Sequence, residues 1–339
     1  MTKKEYNLIY NYLANNCEEV AAYFEKCDNN FTGKFNITSG CKLSSLNTIF
    51  GTSIKCQQYD TVANGEGNEE EKIDTVYSSS LQSLLVFHNV NENNKIIIGD
   101  EDGYEEFDKV IFEYKNKVIG YPSSVDVVLM NDHAIAFIES KFLEIVRDSN
   151  NCGKKVVGIS YFGQNENGYN GIGLTKEELD KMKIEYNYPK SSDNTSDEKP
   201  YLKSVKGLSK YSQSIGKIEG ADYVYSEGIK QILSHIIGIN SFKNGESGYS
   251  NRDKDPISEH NKFRKIFYVE LYNELPGLNF ARKRIEDFRR HANIVKGVIE
   301  KKNIVDKFIV MSYQDLYSNN VKFNFADKVK RYFQLKTTN

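Results

Sequence analysis

Residues 123–142, SSVDVVLMNDHAIAFIESKF, form two apolar runs that contain three charged residues. Asp126 lies in the first run, and Glu139 and Lys141 lie two positions apart in the second run. A charge in a strand that is apolar on both sides is strongly destabilising unless another group compensates it. Three such charges close together therefore indicate a functional site.

The residues Asn131 and Asp132 separate the two runs, and this pattern predicts a β-hairpin. Because side chains alternate between the faces of a strand, Glu139 and Lys141 share one face. A two-residue loop makes Glu139 the diagonal neighbour of Asp126 on that face, and a four-residue loop places the two acids directly opposite each other. A three-residue loop places them on opposite faces unless a bulge intervenes. Even loop lengths thus predict one site for all three charges.

Two carboxylates and a lysine at one edge of a sheet suit the cleavage of phosphodiester bonds. Oxygen ligands suit Mg²⁺, which keeps several of its waters and takes one or two carboxylates. The ion can polarise a phosphate and lower the pKa of a bound water. Lys141 can hold that water or offset the negative charge that builds in the transition state. Because a lysine beside two carboxylates stays protonated, we expect it to act first through its charge.

The spacing of Asp126 from the Glu139-Ser140-Lys141 segment resembles the PD-(D/E)xK nuclease superfamily, which has the restriction-endonuclease-like fold. The resemblance implies that Asp126 and Glu139 bind Mg²⁺, with Mn²⁺ as the alternative ion, and that Lys141 serves the attacking water. It also implies that the backbone carbonyl of Ser140 completes the metal shell. Val125 stands where many members have a proline before the aspartate, and this proline is often absent in the family.

The resemblance continues outside this triad, over roughly residues 73–335. FEYK before the hairpin and ESKF-x-E at its end are similar to uncharacterised bacterial type II restriction endonucleases. GIKQILSHIIGI resembles the family helix that carries a polar residue, often glutamine, beside the site, and Gln231 takes that place. Some members have a tyrosine four residues later, where this chain has His235. The segment FIVMSYQDLY resembles the terminal strand of the same group.

The resemblance implies a metal-dependent DNA endonuclease of the type II restriction class with an α/β fold, in which helices flank a mixed central sheet. It implies duplex DNA as the partner, and a homodimer as one expected assembly. Two alternatives stay open: a non-catalytic DNA-binding or scaffold protein that keeps the fold, and a nuclease acting on RNA or branched DNA. The sequence lacks GxxxxGK[ST], HExxH and GxSxG motifs, which argues against P-loop NTPases, zincins and serine hydrolases. No small-molecule cofactor is expected.

Several other polar residues are weaker candidates. Glu113 could be a third metal ligand from the neighbouring strand, although a solvated or paired strand acid is the preferred interpretation. Glu144 is expected beside the site or at the surface, and Gln82 is expected either to place its helix against the site or to lie at the surface. The five histidines show no metal-binding spacing and are expected in the core or at the surface; they are His88, His133, His235, His260 and His291.

Composition and charge narrow the classes of protein further. The chain has 339 residues, of which 27% are charged and 39% hydrophobic, as in an ordinary globular protein. No apolar run approaches the roughly 20 residues of a membrane helix, the first residues do not form a signal peptide, and the five cysteines include no CxxC pair. We therefore expect reduced thiols, a cytoplasmic location and no membrane partner.

The net charge of −2 hides an uneven distribution. Residues 60–110 contain 13 acids against 3 lysines, whereas residues 262–308 contain 12 lysines and arginines against 6 acids. Within the second region, Arg282, Arg289 and Lys296 recur every seven residues on a predicted helix. This row is either a surface for DNA phosphates or an ordinary solvated helix face.

The order of the predicted elements implies two parts. Residues 1–72 are expected to form an N-terminal helical extension, with a helix over 4–27 and then a poorly defined polar segment. Residues 73–339 are expected to form the nuclease domain, with a polar insertion at about 165–218. Strands alternate with helices in this second part, which implies one α/β domain around a mixed sheet. The predicted strands cover 94–99, 107–120, 153–163, 263–275 and 306–317, and the predicted helices cover 77–90, 226–239, 279–301 and 325–335.

Overall fold

A computed structural model gives the structure of the chain. It describes residues 3–27, 30–37, 40–65, 72–118, 122–146, 172–186, 213–222, 226–249 and 254–335. The predicted strand over 153–163 and most of the polar insertion lie outside these ranges. So do residues 66–71, which belong to an acidic stretch that the sequence indicates as an exposed loop.

The N-terminal part contains more regular structure than the sequence predicts. Its elements are helices α1 (Lys3–Asn16) and α2 (Glu18–Ala21), strands β1 (Phe24–Cys27) and β2 (Asn30–Phe35), and helices α3 (Lys42–Phe50) and α4 (Cys56–Ala63). The helix predicted over 4–27 is interrupted after Asn16 and gives way to a strand at Phe24. The reason is tertiary, because β1 pairs with β2 and the ring of Phe24 packs against Phe31 and Phe35 at 4.9 and 5.4 Å between centroids. The segment interpreted as poorly defined contains β2, α3 and α4.

The first helix of the second part is α5 (Ser79–Phe87). The hydroxyl of Ser78 accepts a hydrogen bond from the backbone N–H of Leu81 at 3.0 Å and caps this helix, as the run of serines predicts. Two antiparallel strands follow, β3 (Ile96–Asp100) and β4 (Gly103–Phe107). The sequence predicts the first of them but not the second.

A five-stranded sheet forms the centre of the fold. Its strands are β5 (Lys109–Asn116), β6 (Ser123–Met130), β7 (Ala134–Lys141), β10 (Lys265–Tyr272) and β11 (Lys307–Ser312), in the spatial order β11-β10-β7-β6-β5. The strands β5, β6 and β7 are antiparallel neighbours, whereas β10 and β11 run parallel to β7. The sheet is therefore mixed, and the predicted α/β class is confirmed.

The parallel strands require long connections, which helices provide. Helix α7 (Ser226–Lys243) precedes β10, and helix α8 (Asn279–Ile299) connects β10 to β11. The apolar stripe predicted on α7 is buried; it consists of Ile229, Ile232, Leu233, Ile236 and Ile237. The apolar residues of α8 recur at spacings of three and four and are buried as well; they are Ala281, Ile285, Phe288, Ala292, Val295 and Ile299. Both helices therefore pack their apolar faces inward, as this spacing predicts.

The remaining described elements lie in the insertion and at the C-terminal end. The insertion contains helix α6 (Lys176–Lys181) and the antiparallel strands β8 (Ile184–Tyr186) and β9 (Gln213–Ile215). The last predicted strand, over 306–317, is too long. It ends at Ser312, because the hydroxyl of this serine caps helix α9 (Tyr313–Asn319) by accepting the backbone N–H of Asp315. Helix α10 (Asp327–Tyr332) follows, as predicted.

The described ranges contain four of the five cysteines. Cys17, Cys27, Cys41 and Cys56 are free thiols, and Cys152 lies outside the described residues. None of the helices in these ranges has both the length and the apolar character needed to cross a membrane.

Candidate active site

The hairpin of β6 and β7 brings the predicted charges together. The two strands pair from Val127 with Ile138 to Met130 with Ile135, which leaves four residues, 131–134, between the last paired residues, although Ala134 already belongs to β7 through its pairing with β10. Continuing this register by one residue sets Asp126 opposite Glu139. The prediction of an even loop and of one shared site is therefore confirmed, in its four-residue form.

The ladder between the two strands ends at Asp126. The backbone N–H of Ser140 donates to Oδ2 of Asp126 at 2.8 Å. Asn131 and Ala134 form a hydrogen-bonded backbone pair in this hairpin, and the alternation of such pairs would direct the Ser140 N–H to the carbonyl of Val125. The carboxylate of Asp126 replaces that carbonyl, so the side chain is fixed by the backbone of the opposite strand.

Glu113 occupies the corresponding position on β5. The pairs Phe112 with Val127 and Tyr114 with Val125 flank it, so it faces Asp126 in the register, yet its own pairing is interrupted. Its φ of 52° is rare for a residue other than glycine. Its buried carboxylate accepts a hydrogen bond from the hydroxyl of Ser80 at 2.7 Å. Glu113 is thus a paired strand acid, as preferred from the sequence, but one that lies beside Asp126.

The first turn of α5 supplies hydroxyl groups to both of these acids. Ser79 donates to Oδ1 of Asp126 at 3.3 Å, next to the bond between Ser80 and Glu113. Both oxygens of Asp126 therefore accept hydrogen bonds, one from a helix hydroxyl and one from the Ser140 amide. These contacts orient the carboxylate without neutralising it.

Lys141 connects the hairpin to helix α7. Its ammonium nitrogen donates to Oε1 of Glu139 and, at 2.8 Å, to the side-chain oxygen of Gln231. Glu139 and Lys141 are 3% and 2% exposed, so their ion pair is shielded from solvent. The prediction that Gln231 approaches Lys141 or Glu139 is confirmed, and Gln231 does not point away into solvent.

His235 is a member of the cluster that the sequence interpretation misses. Its Nε2 lies 2.9 Å from Oε2 of Glu139, and its Nδ1 lies 2.9 Å from the hydroxyl of Ser123, the first residue of β6. The ring is 2% exposed. His235 is a buried residue, as one of the two expected positions allows, but its contact with Glu139 was not expected. The usable signal was its position one helical turn after Gln231, on the same side of α7.

The acids of the cluster have opposite pKa shifts. Burial, reinforced by the negative charges of Glu139 and Glu113, raises the pKa of Asp126 well above its usual range. Burial also opposes ionisation of Glu139, but the contacts with Lys141 and His235 outweigh it and lower the pKa of Glu139 to about 2. Positive charge therefore compensates the carboxylate of Glu139 but leaves that of Asp126 undercompensated.

The positive charge of Lys141 acts on two further acids. Glu270 on β10 pairs in register with Glu139 and is fully buried, and this burial raises its pKa to about 8. Glu144, just after β7, is partly buried, and its carboxylate accepts the backbone N–H of Phe142 at 2.9 Å. Burial raises the pKa of Glu144 to about 7, with Lys141 acting in the opposite direction. Glu144 therefore lies beside the site, one of its two expected positions.

Ser140 is held from the opposite face of the sheet. Its hydroxyl lies 2.5 Å from the hydroxyl of Tyr313, which is fully buried at the start of α9. Its amide is bound by Asp126. The residue whose carbonyl the resemblance assigns to a metal shell is therefore held at its amide N–H and at its side chain.

The donor set can be compared with the requirements of Mg²⁺. In the described ranges, no three or more His, Cys, Asp or Glu side chains are grouped so as to hold a metal ion. Asp126 and Glu139 provide two carboxylates, and Ser140 a backbone carbonyl, which fits an ion that retains several waters. The raised pKa of Asp126 also indicates negative charge that a cation would compensate. The residues present therefore fit Mg²⁺ better than a metal that requires a complete protein cage.

The other polar residues named from the sequence, Gln82 and four histidines, make their contacts outside the cluster. Gln82 is buried, so its surface alternative is wrong, and its amide donates to the carbonyl of Val76 at 3.5 Å. His88, His133, His260 and His291 contact, respectively, the Leu85 carbonyl, Glu105, Asp255 and the Met182 carbonyl. These four histidines are core or surface residues, as expected.

Only two of the three residues in the predicted basic row on α8 are exposed. Arg282 and Arg289 are exposed, and Arg289 lies against the hydroxyl of Tyr272, whose register partner in β7 is Lys141. Lys296 is partly buried and pairs with Glu300 at 3.7 Å. The first half of α8 therefore approaches the edge of the sheet that carries the site, whereas Lys296 serves the fold.

Comparison of the chain with protein-family models, curated proteins and solved structures finds no match. The fold and the site define an α/β protein with a buried cluster of acids, one lysine, one glutamine and one histidine at an edge of a mixed sheet. An assignment of activity therefore depends on the chemistry of this cluster.

Proposed function

We propose that the chain is a Mg²⁺-dependent endonuclease of the PD-(D/E)xK superfamily, with the restriction-endonuclease-like fold, that hydrolyses phosphodiester bonds in duplex DNA. One observation carries the proposal: the ammonium group of Lys141 donates both to Glu139, two residues away, and to Gln231, which is 90 residues away in the chain. Asp126 lies opposite Glu139 on the adjacent strand. This is the set of residues that the sequence resemblance implies.

The carboxylates of Asp126 and Glu139 and the carbonyl of Ser140 would hold the ion, with Mn²⁺ as the alternative. When bound, the ion supplies a polarised phosphate and a water of lowered pKa. Lys141, which Gln231 keeps at the site, offsets the negative charge that develops on the phosphate. A low-dielectric surrounding strengthens this effect, because Lys141 and Glu139 are almost fully buried.

His235 has a positioning role in this proposal. Its Nε2 lies 2.9 Å from Oε2 of Glu139 while Lys141 donates to Oε1, so each oxygen of this carboxylate has its own neighbour. Ser123 orients the imidazole through Nδ1. Outer residues that orient ligands in this way commonly change metal affinity or activity by roughly 10- to 100-fold when they are removed.

The DNA would lie along the edge of the sheet that α8 approaches. Arg282 and Arg289 are exposed cations there, and cations that contact phosphates provide affinity without sequence preference. A homodimer that cuts both strands is part of the restriction-type proposal. Each protomer would then place this edge of its sheet against one of the two DNA strands.

One observation favours the alternative of a non-catalytic DNA-binding or scaffold protein. Both oxygens of Glu139 already lie close to nitrogen atoms of the protein, Nζ of Lys141 and, at 2.9 Å, Nε2 of His235, as those of a structural acid would. Each carboxylate oxygen has two lone pairs, so these contacts leave acceptor capacity for an ion. A direct assay therefore has to separate the two functions.

The experiment is incubation of the purified chain with mixed duplex DNA, with and without Mg²⁺. We expect cleavage only with the ion, and discrete bands if recognition is sequence-specific. Glu139→Ala should abolish cleavage, whereas Glu106→Ala, which changes an exposed acid on β4, serves as the matched control. Binding of DNA without cleavage under Mg²⁺ and Mn²⁺ would instead establish the non-catalytic alternative.

A further inference from the structure

Glu270 is a buried acid for which the proposed mechanism has no use. It lies on β10, in register with Glu139, and is 0% exposed. The hydroxyl of Tyr268 donates to its Oε1, whereas its Oε2 has no hydrogen-bond partner among the described residues. A buried carboxyl oxygen without a partner destabilises the folded state, and an apolar residue of similar size would avoid this penalty.

The surroundings of Glu270 indicate what its second oxygen can serve. The positive charge of Lys141 and the negative charge of Glu139 both act on this carboxyl group. Lys141 is 2% exposed, so its ammonium group must be bound by protein acceptors rather than by bulk water. Its anionic acceptor, Glu139, is also the carboxylate expected to turn toward a metal ion.

We propose that Glu270 is a second acceptor for Lys141, which keeps the ammonium group in the site when Glu139 directs its carboxylate toward the metal ion. The inference rests on the proposed function for its catalytic consequence, but the contact itself does not need a metal. Glu270 is then a positioning residue that acts through Lys141. It explains why a destabilising acid lies in register with Glu139 at the centre of the sheet.

Two substitutions separate this role from a purely structural one. Glu270→Met removes both oxygens and fills similar space, but it also leaves the buried Tyr268 hydroxyl without its acceptor, so these two effects on the free energy of unfolding oppose each other. The same change should lower the single-turnover cleavage rate roughly tenfold, because Lys141 loses a charge-assisted hydrogen bond. Glu270→Gln keeps an acceptor oxygen but cannot ionise, and it should recover most of that rate.

The contact can be measured independently of cleavage and of metal. In the Glu139→Ala protein, Lys141 has lost its first acidic acceptor, and Glu270 should then protect its amine. Reductive methylation with formaldehyde and cyanoborohydride, followed by peptide mass spectrometry, reports the reactivity of each lysine. We expect Lys141 to react roughly tenfold faster in Glu139→Ala/Glu270→Met than in Glu139→Ala. Lys109, which is exposed, is the internal control and should react equally in both proteins.

The outcomes distinguish this inference from the proposed function. Equal reactivity of Lys141 in the two proteins, together with wild-type cleavage by Glu270→Met, overturns the inference and leaves the nuclease proposal standing. Faster reaction of Lys141 in a chain whose wild-type form cleaves no DNA supports the contact and overturns the nuclease proposal. A changed melting temperature with unchanged cleavage and unchanged Lys141 reactivity assigns Glu270 to the fold alone.

Discussion

The side-chain oxygen of Gln231 lies 2.8 Å from the ammonium nitrogen of Lys141, although 90 residues separate the two in the chain. The contact connects helix α7 to the end of β7. It gives the buried lysine a neutral acceptor beside the charged Glu139. The site therefore depends on the packing of α7 as well as on the hairpin.

Loss of the Gln231 acceptor should reduce activity more than stability. We expect Gln231→Leu to lower the single-turnover cleavage rate by roughly 10- to 100-fold, because Lys141 becomes less well positioned. Gln231→Glu retains an oxygen in the same place and should be the milder change. Lys230→Ala, at the neighbouring helix position, is the control for α7 itself. A Gln231→Leu protein that cleaves DNA at the wild-type rate would remove Gln231 from the site.

Removal of the imidazole should weaken metal binding. Without His235, Glu139 loses the contact that fixes Oε2, and we expect His235→Ala to lower the affinity for Mn²⁺ roughly tenfold. Titration with Mn²⁺ monitored by calorimetry measures this without DNA. Ser123→Ala should reproduce part of the loss, and His260→Ala, which removes a ring that contacts Asp255, should leave the affinity unchanged. Unchanged affinity in His235→Ala would make the histidine a packing residue.

The exposed arginines of α8 should govern the salt dependence of DNA binding. Changing Arg282 and Arg289 to glutamine should flatten the slope of log K against log salt, by up to about 0.9 for each lost phosphate contact. The loss of affinity should be similar for all DNA sequences, and the melting temperature should barely change. Fluorescence anisotropy at several salt concentrations provides the measurement.

Lys296→Gln is the matched variant on the same helix. Because Lys296 is partly buried and pairs with Glu300, we expect this change to lower the melting temperature slightly and to leave the salt slope unchanged. An unchanged slope in the double arginine variant would place the DNA surface elsewhere on the molecule.

The contact between α8 and the insertion should be sensitive to acid. Burial lowers the pKa of His291, whose Nε2 lies 2.8 Å from the carbonyl of Met182. Above the unfolded pKa of about 6.5 the ring is neutral in both states and its contribution is complete. As the pH falls below that value, the unfolded chain binds a proton first, and stability declines until the folded pKa is passed.

Urea unfolding at about pH 7.5 and about pH 5 tests this sign. His291→Gln cannot bind the proton and should lose less stability between the two conditions than the wild type. His133→Gln, at an exposed ion pair with Glu105, serves as the control. Equal losses in His291→Gln and the wild type would contradict the assignment of His291.

The local parts of the site could be predicted from the sequence. Alternation along a strand places Glu139 and Lys141 on one face, and the parity of a short loop brings Asp126 to them. The apolar stripe of α7 turns Gln231 away from the core and toward the strand end. Each of these statements involves residues within a single strand, hairpin or helix, where geometry follows from the repeat of the backbone.

Contacts between elements that are far apart in the chain could not be predicted from the sequence in this way. The pairing of Glu270 with Glu139 depends on the register of two parallel strands that are more than a hundred residues apart, and no local pattern encodes that register. His235 lies near Glu139 because α7 packs at one height on the sheet. The strand at Phe24 replaces a predicted helix because it finds a partner in β2.

The sequence by itself determined the hairpin, the common face of its three charges and the helix that carries Gln231, because backbone periodicity sets the direction of side chains over short distances. Only the tertiary structure decided which residues surround those charges. Ser79, Ser80, Glu113, His235 and Glu270 all lie outside the hairpin in the chain. Burial raises the pKa of Asp126, whereas the contacts with Lys141 and His235 lower the pKa of Glu139. The physical reason is that burial and the approach of distant charges arise only when the separate elements pack together.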